Sequence, residues 1–233
     1  MINSVGGPFG ITLNTGSEII EPIDNEKLLG GHVSSNLKWN NHIRDNEKSM
    51  FKVLTSRVNA LSKMSQVSSF KTRKMLAHGM VMSSLIYLIQ VWGGTSDYLL
   101  KFLQVIQNRA ARLVTRLGWY TPTQTLLTQC GWLSIKQLVI FHSLTLVYKI
   151  KSDRKPVYLY DKIGHEFSYR TRIADAHGIR QTGRLNSELN KKSFIPRSIV
   201  HWNNLPHNIR LTMKLDDFKV KLKEWIRHNI EIV

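Results

Sequence analysis

Acids are scarce in this chain: 16 Asp and Glu stand against 33 Lys and Arg, so a carboxylate-based active site has few candidates. Paired aspartates can hold two divalent ions for phosphoryl transfer, one activating a hydroxyl nucleophile and one on the phosphate. The one Asp-Asp pair is Asp216-Asp217, in Leu-Asp-Asp-Phe. It opens an amphipathic segment, where acids serve free backbone N–H groups and favour the helix dipole. Capping is its expected role. Tyr160-Asp161 has no second Asp, and the nine histidines lack zinc-site spacing. His201 and His207 straddle a Pro turn, isolated from carboxylates. No Walker loop, CxxC pair or HExxH motif occurs. Cys130 has no basic neighbour in sequence and reads as a buried structural thiol. No catalytic residue, metal or cofactor is assigned.

What is left is cation and aromatic. Tyr98–Leu117 reads as one helix of about five turns. Leu99, Leu103, Ile106, Ala110, Leu113, Val114 and Leu117 share an arc of about 100°. Lys101, Arg109, Arg112 and Arg116 lie about 120° away on another arc. Gly118 is the expected helix stop at C′. Trp119 and Tyr120 follow, between that glycine and Pro122. Arginine interleaved with Trp and Tyr permits phosphate contact together with base stacking. Lys71, Arg73 and Lys74 add a second cationic group. These nine residues are the candidate nucleic-acid-binding set. Trp132, Trp202 and Trp225 read as core.

The elements that must position them are mostly helical. Ile11–Leu13 and Glu18–Ile20 read as a β-hairpin with a four-residue turn, and Lys27–Val33 as a third strand. From Asn41 the period is helical, with Met50, Leu54, Leu61 and Met64 on one face and Phe51 and Val58 beside it. Ser69 is the N-cap of a helix to Ile89, weakened at Gly79 by up to ~1 kcal/mol. Trp92-Gly93-Gly94 is a break. Thr121-Pro122 opens a short helix to Gln129. Ser134-x-x-Gln137 is a capping box before Ile135–Ile150, apolar around most of its girth and so the most buried element. Its His142 reads as a buried, hydrogen-bonded histidine. Residues 152–192 read as a linker with a short helix at Val157–Ile163 and an extended Tyr169–Arg172 strip. The last helix is Asp217–Ile230, with Phe218, Leu222, Trp225 and Ile226 on one side. The expected fold is mainly α: a loose tail (1–10), a small antiparallel β piece (11–33), a basic helical domain (34–151), the linker, and a C-terminal helical module (193–233).

The net charge is +17, and it is uneven. Residues 1–47 hold six acids and three Lys/Arg, whereas 48–152 hold fourteen Lys/Arg and one acid, Asp97. That asymmetry points to a polyanion, nucleic acid before a membrane surface. A lone cysteine excludes an intramolecular disulfide framework and suits a reducing, intracellular compartment. The run Met80–Trp92 is too short and too polar for a membrane span.

Leu103-Gln104-x-x-Gln107-Asn108-Arg109-Ala110-x-Arg112-Leu113 resembles the "LQ-x-x-QNRA-x-R" signature in reverse transcriptases of LINE-type (non-LTR, jockey-like) retrotransposons. The flanks follow the family's order. Leu28-Leu29-Gly30-Gly31 and Leu37-Lys38-Trp39-x-x-His42-Ile43 resemble its "LG…L-x-W-x-x-HI". Val91-Trp92-Gly93-Gly94 resembles "VWGG", and Tyr120–Thr123 with Gly131-Trp132-Leu133 resembles "YTPT…GWLP". Tyr169-x-Thr171-Arg172, Lys192-Ser193-Phe194, Trp202-Asn203-x-Leu205-Pro206 and Phe218-Lys219-x-Lys221-Leu222-Lys223 complete the series, which spans residues 11–233. The resemblance implies the thumb and post-thumb portion of such an enzyme, with residues 11–33 as the edge of its palm. In that family the thumb holds a template–primer duplex by its phosphates. The family's aromatic-x-Asp-Asp hairpin is missing here.

Two functions are therefore expected in competition. One is a non-catalytic module that binds an RNA–DNA hybrid or duplex DNA. The other is a helical protein–protein interaction module derived from a retroelement. An active polymerase would need a separate palm chain. Primer extension on a primed RNA template, with magnesium or manganese, should yield no product. Extension that survives Asp216→Asn with Asp217→Asn would reveal a different active site.

Overall fold

The computed structural model describes residues 23–66, 68–164, 178–180 and 187–230 in full, and the backbone of 2–3, 12–14 and 19–20. The chain divides into two compact units, Met1–Ser49 and Met50–Val233. The fold is mainly α with small antiparallel β pieces at the N-terminal end. The division falls between Ser49 and Met50, within the span expected to be one basic helical domain. The Tyr169–Arg172 strip lies outside the described residues.

In the first unit, β1 (Ile2–Asn3), β2 (Thr12–Asn14) and β3 (Ile19–Ile20) form an antiparallel sheet in that order. Leu13 stands opposite Ile2 on one side and Ile20 on the other. Ile2–Asn3 is thus a strand where the sequence suggests a loose tail. The segment read as a single third strand is a second hairpin, β4 (Asn25–Leu28) with β5 (Gly31–Ser34). Its turn, Leu29-Gly30, has both φ values positive, at 48° and 83°. That is the primed geometry whose twist matches two flanking strands. A π-helical turn follows at Asn41–Asp45 and buries His42 and Ile43. Burial, and then the neighbouring His32, push His42 down to about 4.

In the second unit, α1 (Met50–Ser65) buries Met50, Leu54, Val58, Leu61 and Ser65. Val58 takes the core position expected of Met64, which is 43% exposed. Ser69 caps α2 (Phe70–Ala77) as read, its Oγ accepting from the Thr72 N–H at 3.2 Å. The helical path continues through a π turn at His78–Met82 and α3 (Ser83–Ile86). It does not reach Ile89 unbroken. Leu88 is left-handed, at φ 53°, and α4 (Ile89–Trp92) starts afresh. The Trp92 indole is fully buried and donates to the Tyr87 carbonyl at 2.9 Å, satisfying an acceptor freed by that break.

Next come α5 (Asp97–Thr115), α6 (Thr123–Cys130) and α7 (Ile135–Asp153). Both bonds of the Ser134/Gln137 capping box are present. α7 buries Leu138, Val139, Ile140, Leu144, Val147 and Tyr148 among others, whereas Phe141 and Leu146 are half-buried and Lys149 is exposed, so about half of its girth is core. His142 is half-buried, with Phe141 edge-on to it. One side of α7 meets α4 and α5; other sides meet α8 (Val157–Ile163), α10 (Phe194–Asn203) and α12 (Leu215–Asn229). Short helices α9 (Glu188–Lys192) and α11 (His207–Arg210) flank α10. Tyr148 stacks on Phe218 at 4.4 Å, and its hydroxyl donates to the carbonyls of Thr212 and Met213. These contacts make the C-terminal helices part of the core. A chain stopped after Ile150 would leave that side of α7 bare. No single helix among the described residues is long and apolar enough to cross a membrane.

The Trp-Gly-Gly break has a steric reason. A Cβ on Gly93 would meet both methyls of Val139 on α7, at 2.7 and 2.9 Å, and one on Gly94 would overlap the Lys192 carbonyl. Gly79 has open space around it. Gly94→Ala should therefore destabilise by about 1–3 kcal/mol through overpacking. Gly79→Ala should be neutral or stabilising by up to ~1 kcal/mol. Urea midpoints of the two variants test this; equal shifts would show that position 94 is not closely packed.

Candidate nucleic-acid interface

α5 carries the interface candidates, and its buried side is wider than an apolar arc. It includes Leu99, Leu100, Leu103, Ile106, Ala110, Ala111 and Val114, and also Gln104 and Gln107. Leu113, placed on the apolar arc by its angle, is half-buried. The Gln104 side-chain N–H donates to Gln107 Oε1 at 2.9 Å and to Asn108 Oδ1 at 2.8 Å. Gln107 Nε2 donates to the Leu133 carbonyl at 2.8 Å, and Asn108 Nδ2 to Thr123 Oγ1 at 2.9 Å. Gln104 Oε1 accepts from the Ile135 N–H at 2.9 Å, a first-turn donor of α7 with no partner inside its own helix. The amides of the Leu-Gln-x-x-Gln-Asn motif therefore fix how α6 and α7 leave α5. Sequence reading overlooks them, although Gln107 sits only about 40° from Leu103 on a helical wheel. A polar side chain inside an apolar arc is the signal of a buried hydrogen-bonded group.

The arginines divide between inward and outward duties. α5 ends at Arg116 and not at Gly118. Arg116 itself takes the left-handed position, φ 59°, and its N–H bonds the Arg112 carbonyl. Its guanidinium reaches back to the carbonyls of Ser65 and Gln66, each at 2.9 Å, where α1 ends. Arg73, from α2, is buried; its Nε donates to the Val114 carbonyl near the end of α5 at 2.9 Å, and another N–H bonds the Ser68 carbonyl. Cations at helix C-termini satisfy carbonyls that lack intrahelical partners and oppose the dipole. Burial first, then Arg116, hold the Arg73 pKa below its ordinary value. Arg73 is thus a structural cap, and its placement among contact residues is corrected. Arg116 is exposed overall but tied through one nitrogen.

Others face outward. Lys101 and Lys71 are exposed, and Lys74 is half-buried. Arg109 is half-buried and donates to Asn59 Oδ1 on α1 at 3.1 Å. Arg112 lies against the Trp119 ring, with its guanidinium carbon 4.8 Å from the ring centre. Trp119 is 70% exposed and Tyr120 96%. α1, α2 and α5 pack on one another, so the helical residues of this set stand on neighbouring helices. Among the described residues, ion pairs join Lys191 to Glu188 and Lys219 to Asp216; none involves a cation of α1, α2 or α5.

Asp216 and Asp217 occupy the first turn of α12, both exposed, and Lys219 pairs with Asp216 at 3.2 Å. Cys130 is fully buried, and burial pushes its thiol up to about 11. His201 is pushed down to about 4 by burial and by Arg197 and Lys136. Trp132 and Trp202 are buried, while Trp225 is half-buried. Asn203 donates to the Ile179 carbonyl and accepts from the Ile179 N–H, at 3.0 and 2.7 Å, so the Trp-Asn-x-Leu-Pro motif grips the backbone of Ile179.

Compared with protein-family models, with curated proteins and with solved structures, the chain matches none.

Arg73→Met should destabilise by about 1–3 kcal/mol, because buried carbonyls lose their donor. Lys71→Gln, on the same helix but exposed, should stay within about 0.5 kcal/mol. Chemical unfolding of both variants distinguishes a cap from a contact residue; a near-zero effect at Arg73 would make it a surface cation.

Proposed function

We propose that the chain is a non-catalytic nucleic-acid-binding module that holds a duplex by its phosphates, as the thumb of a non-LTR retrotransposon reverse transcriptase would. The observation that carries this reading is the outer side of the packed helices α2 and α5. It presents Lys71, Lys101, Arg109 and Arg112 with no ion pair among the described residues. Beside them stand two exposed aromatic rings, Trp119 and Tyr120. Unneutralised cations supply affinity without sequence preference, through counterion release. An exposed indole backed by a guanidinium offers a flat face to a terminal or unpaired base. The ordered series of family-like motifs supports the same assignment, and the absence of the family's Asp-Asp hairpin makes the role one of holding and not of polymerising. An RNA–DNA hybrid or duplex DNA is the proposed partner.

Lys71→Gln, Lys101→Gln and Arg109→Gln together should leave the fold intact, because none of the three caps a helix. The slope of log affinity against log salt should fall by about 0.9 for each cation engaged on B-form DNA, close to three units in all. Weakening should be equal for all duplex sequences. Trp119→Ala should spare blunt duplex binding and weaken a duplex with a single-stranded overhang by about 1–3 kcal/mol. Parental affinity and slope in the triple variant would instead favour a helical protein–protein interaction module.

A further inference from the structure

A second group of cations converges at the turn that ends α6. Arg227, on α12, donates to the Gly131 carbonyl at 3.4 Å, and Lys74 Nζ, on α2, lies 3.6 Å from where a Gly131 side chain would begin. Lys223 precedes Arg227 by one helical turn, on the same face of α12. Its ammonium is held below the ordinary lysine value by burial, and then by Arg227 and Lys74. Lys74 also acts on the Cys130 thiol at the base of the same turn. Arg227 and Lys74 therefore flank Gly131 from two helices, with Lys223 one turn before Arg227 on the same face. The nearest acids on α12 are elsewhere engaged or unpaired: Asp216 binds Lys219, and neither Asp217 nor Glu224 forms an ion pair with Lys223 or Arg227 among the described residues.

A helix C-terminus accounts for one of these cations and not for three. α6 ends at Cys130 with Gly131 left-handed, and its terminus carries about half a negative charge. Arg227 alone satisfies the exposed carbonyl. Like charges one turn apart on α12 repel, and a third from α2 adds to that. Such an arrangement is relieved by an anion. We infer that Lys74, Lys223 and Arg227 form a seat for one backbone phosphate of a nucleic-acid duplex, so that α12 joins the binding surface begun by α2 and α5. α2 is the link. Lys74 faces this seat, while Arg73, the residue before it, reaches the end of α5. Nothing in the composition of α12 points to this, because Lys and Arg are spread over several of its faces. The inference rests on the duplex-holding reading, and its test separates the two.

The full chain is titrated with a blunt DNA duplex and with an RNA–DNA hybrid, by fluorescence anisotropy across a range of salt. Lys223→Gln with Arg227→Gln should lower the log–log slope on DNA by about 1.8, two cations at about 0.9 each. Lys223→Arg with Arg227→Lys keeps both charges and should keep the slope. Thermal melts by circular dichroism confirm that both variants stay folded. A parental slope in the Gln variant, with a slope reduced by the Lys71, Lys101 and Arg109 substitutions on α2 and α5, overturns the seat and leaves the main surface standing. An equal loss in the charge-conserving variant also overturns the seat, since packing and not charge would then be responsible. Salt-insensitive or absent duplex binding by the parent overturns both readings.

Discussion

Gln104, Gln107 and Asn108 stand on adjoining turns of α5, and the packing of α6 and α7 depends on their amides being satisfied. Gln104 takes up a free N–H at the start of α7, and Gln107 holds the Leu133 carbonyl just before it. The capping box at Ser134 and Gln137 serves two more N–H groups of the same terminus. The Gln137 side-chain Nε2 donates in turn to the Ile230 carbonyl at the end of α12. The beginning of the most buried helix is thus wired to α5 on one side and to α12 on the other. An apolar replacement at Gln104 or Gln107 would leave several buried partners unsatisfied together, which is costlier than losing one bond.

Formal charge overstates what this protein can offer to a polyanion. Arg73 is consumed in closing helix ends, Arg116 is tied by one nitrogen, and Arg57 binds the Met80 carbonyl and the Ser84 hydroxyl. Arg197 bonds the Gln90 carbonyl at 3.0 Å and is pushed down to about 10 by burial. Guanidinium suits this work because its rigid fork of donors reaches several carbonyls at once. The cations left for an external partner include the exposed lysines, with Arg109 and Arg112 only partly available. The protein resolves its excess of positive charge partly by turning it inward against helix dipoles.

Periodicity made the helices legible. Ser69 and Ser134 are caps where their spacing put them, α8 spans the residues read for it, and the girth of Ile135–Ile150 announced the central element. What stayed hidden has identifiable causes. The left-handed residues Leu88 and Arg116 end or break helices without glycine, so no residue type marks them. The π turn at His78–Met82 leaves the apolar period nearly intact and is invisible to it. Polarity makes residues 152–192 read as a linker, yet Ile179 within them is fully buried and held by Asn203. At the candidate interface, residue type located the cations and the exposed Trp119–Tyr120 pair. It could not tell Arg73 from Lys71, because which side chain turns inward depends on a carbonyl of α5 that is distant in sequence.

α7 is enclosed from two directions by segments made at different times. Its partners α4 and α5 precede it, whereas α10 and α12 follow only after residue 193. During synthesis the face around Tyr148 emerges before the helix that covers it exists. An apolar surface of this kind is sticky while it waits. The growing chain is therefore obliged to spend an interval as a half-finished bundle, and it has a window in which a chaperone or a second nascent copy can reach α7 before its own α12 does.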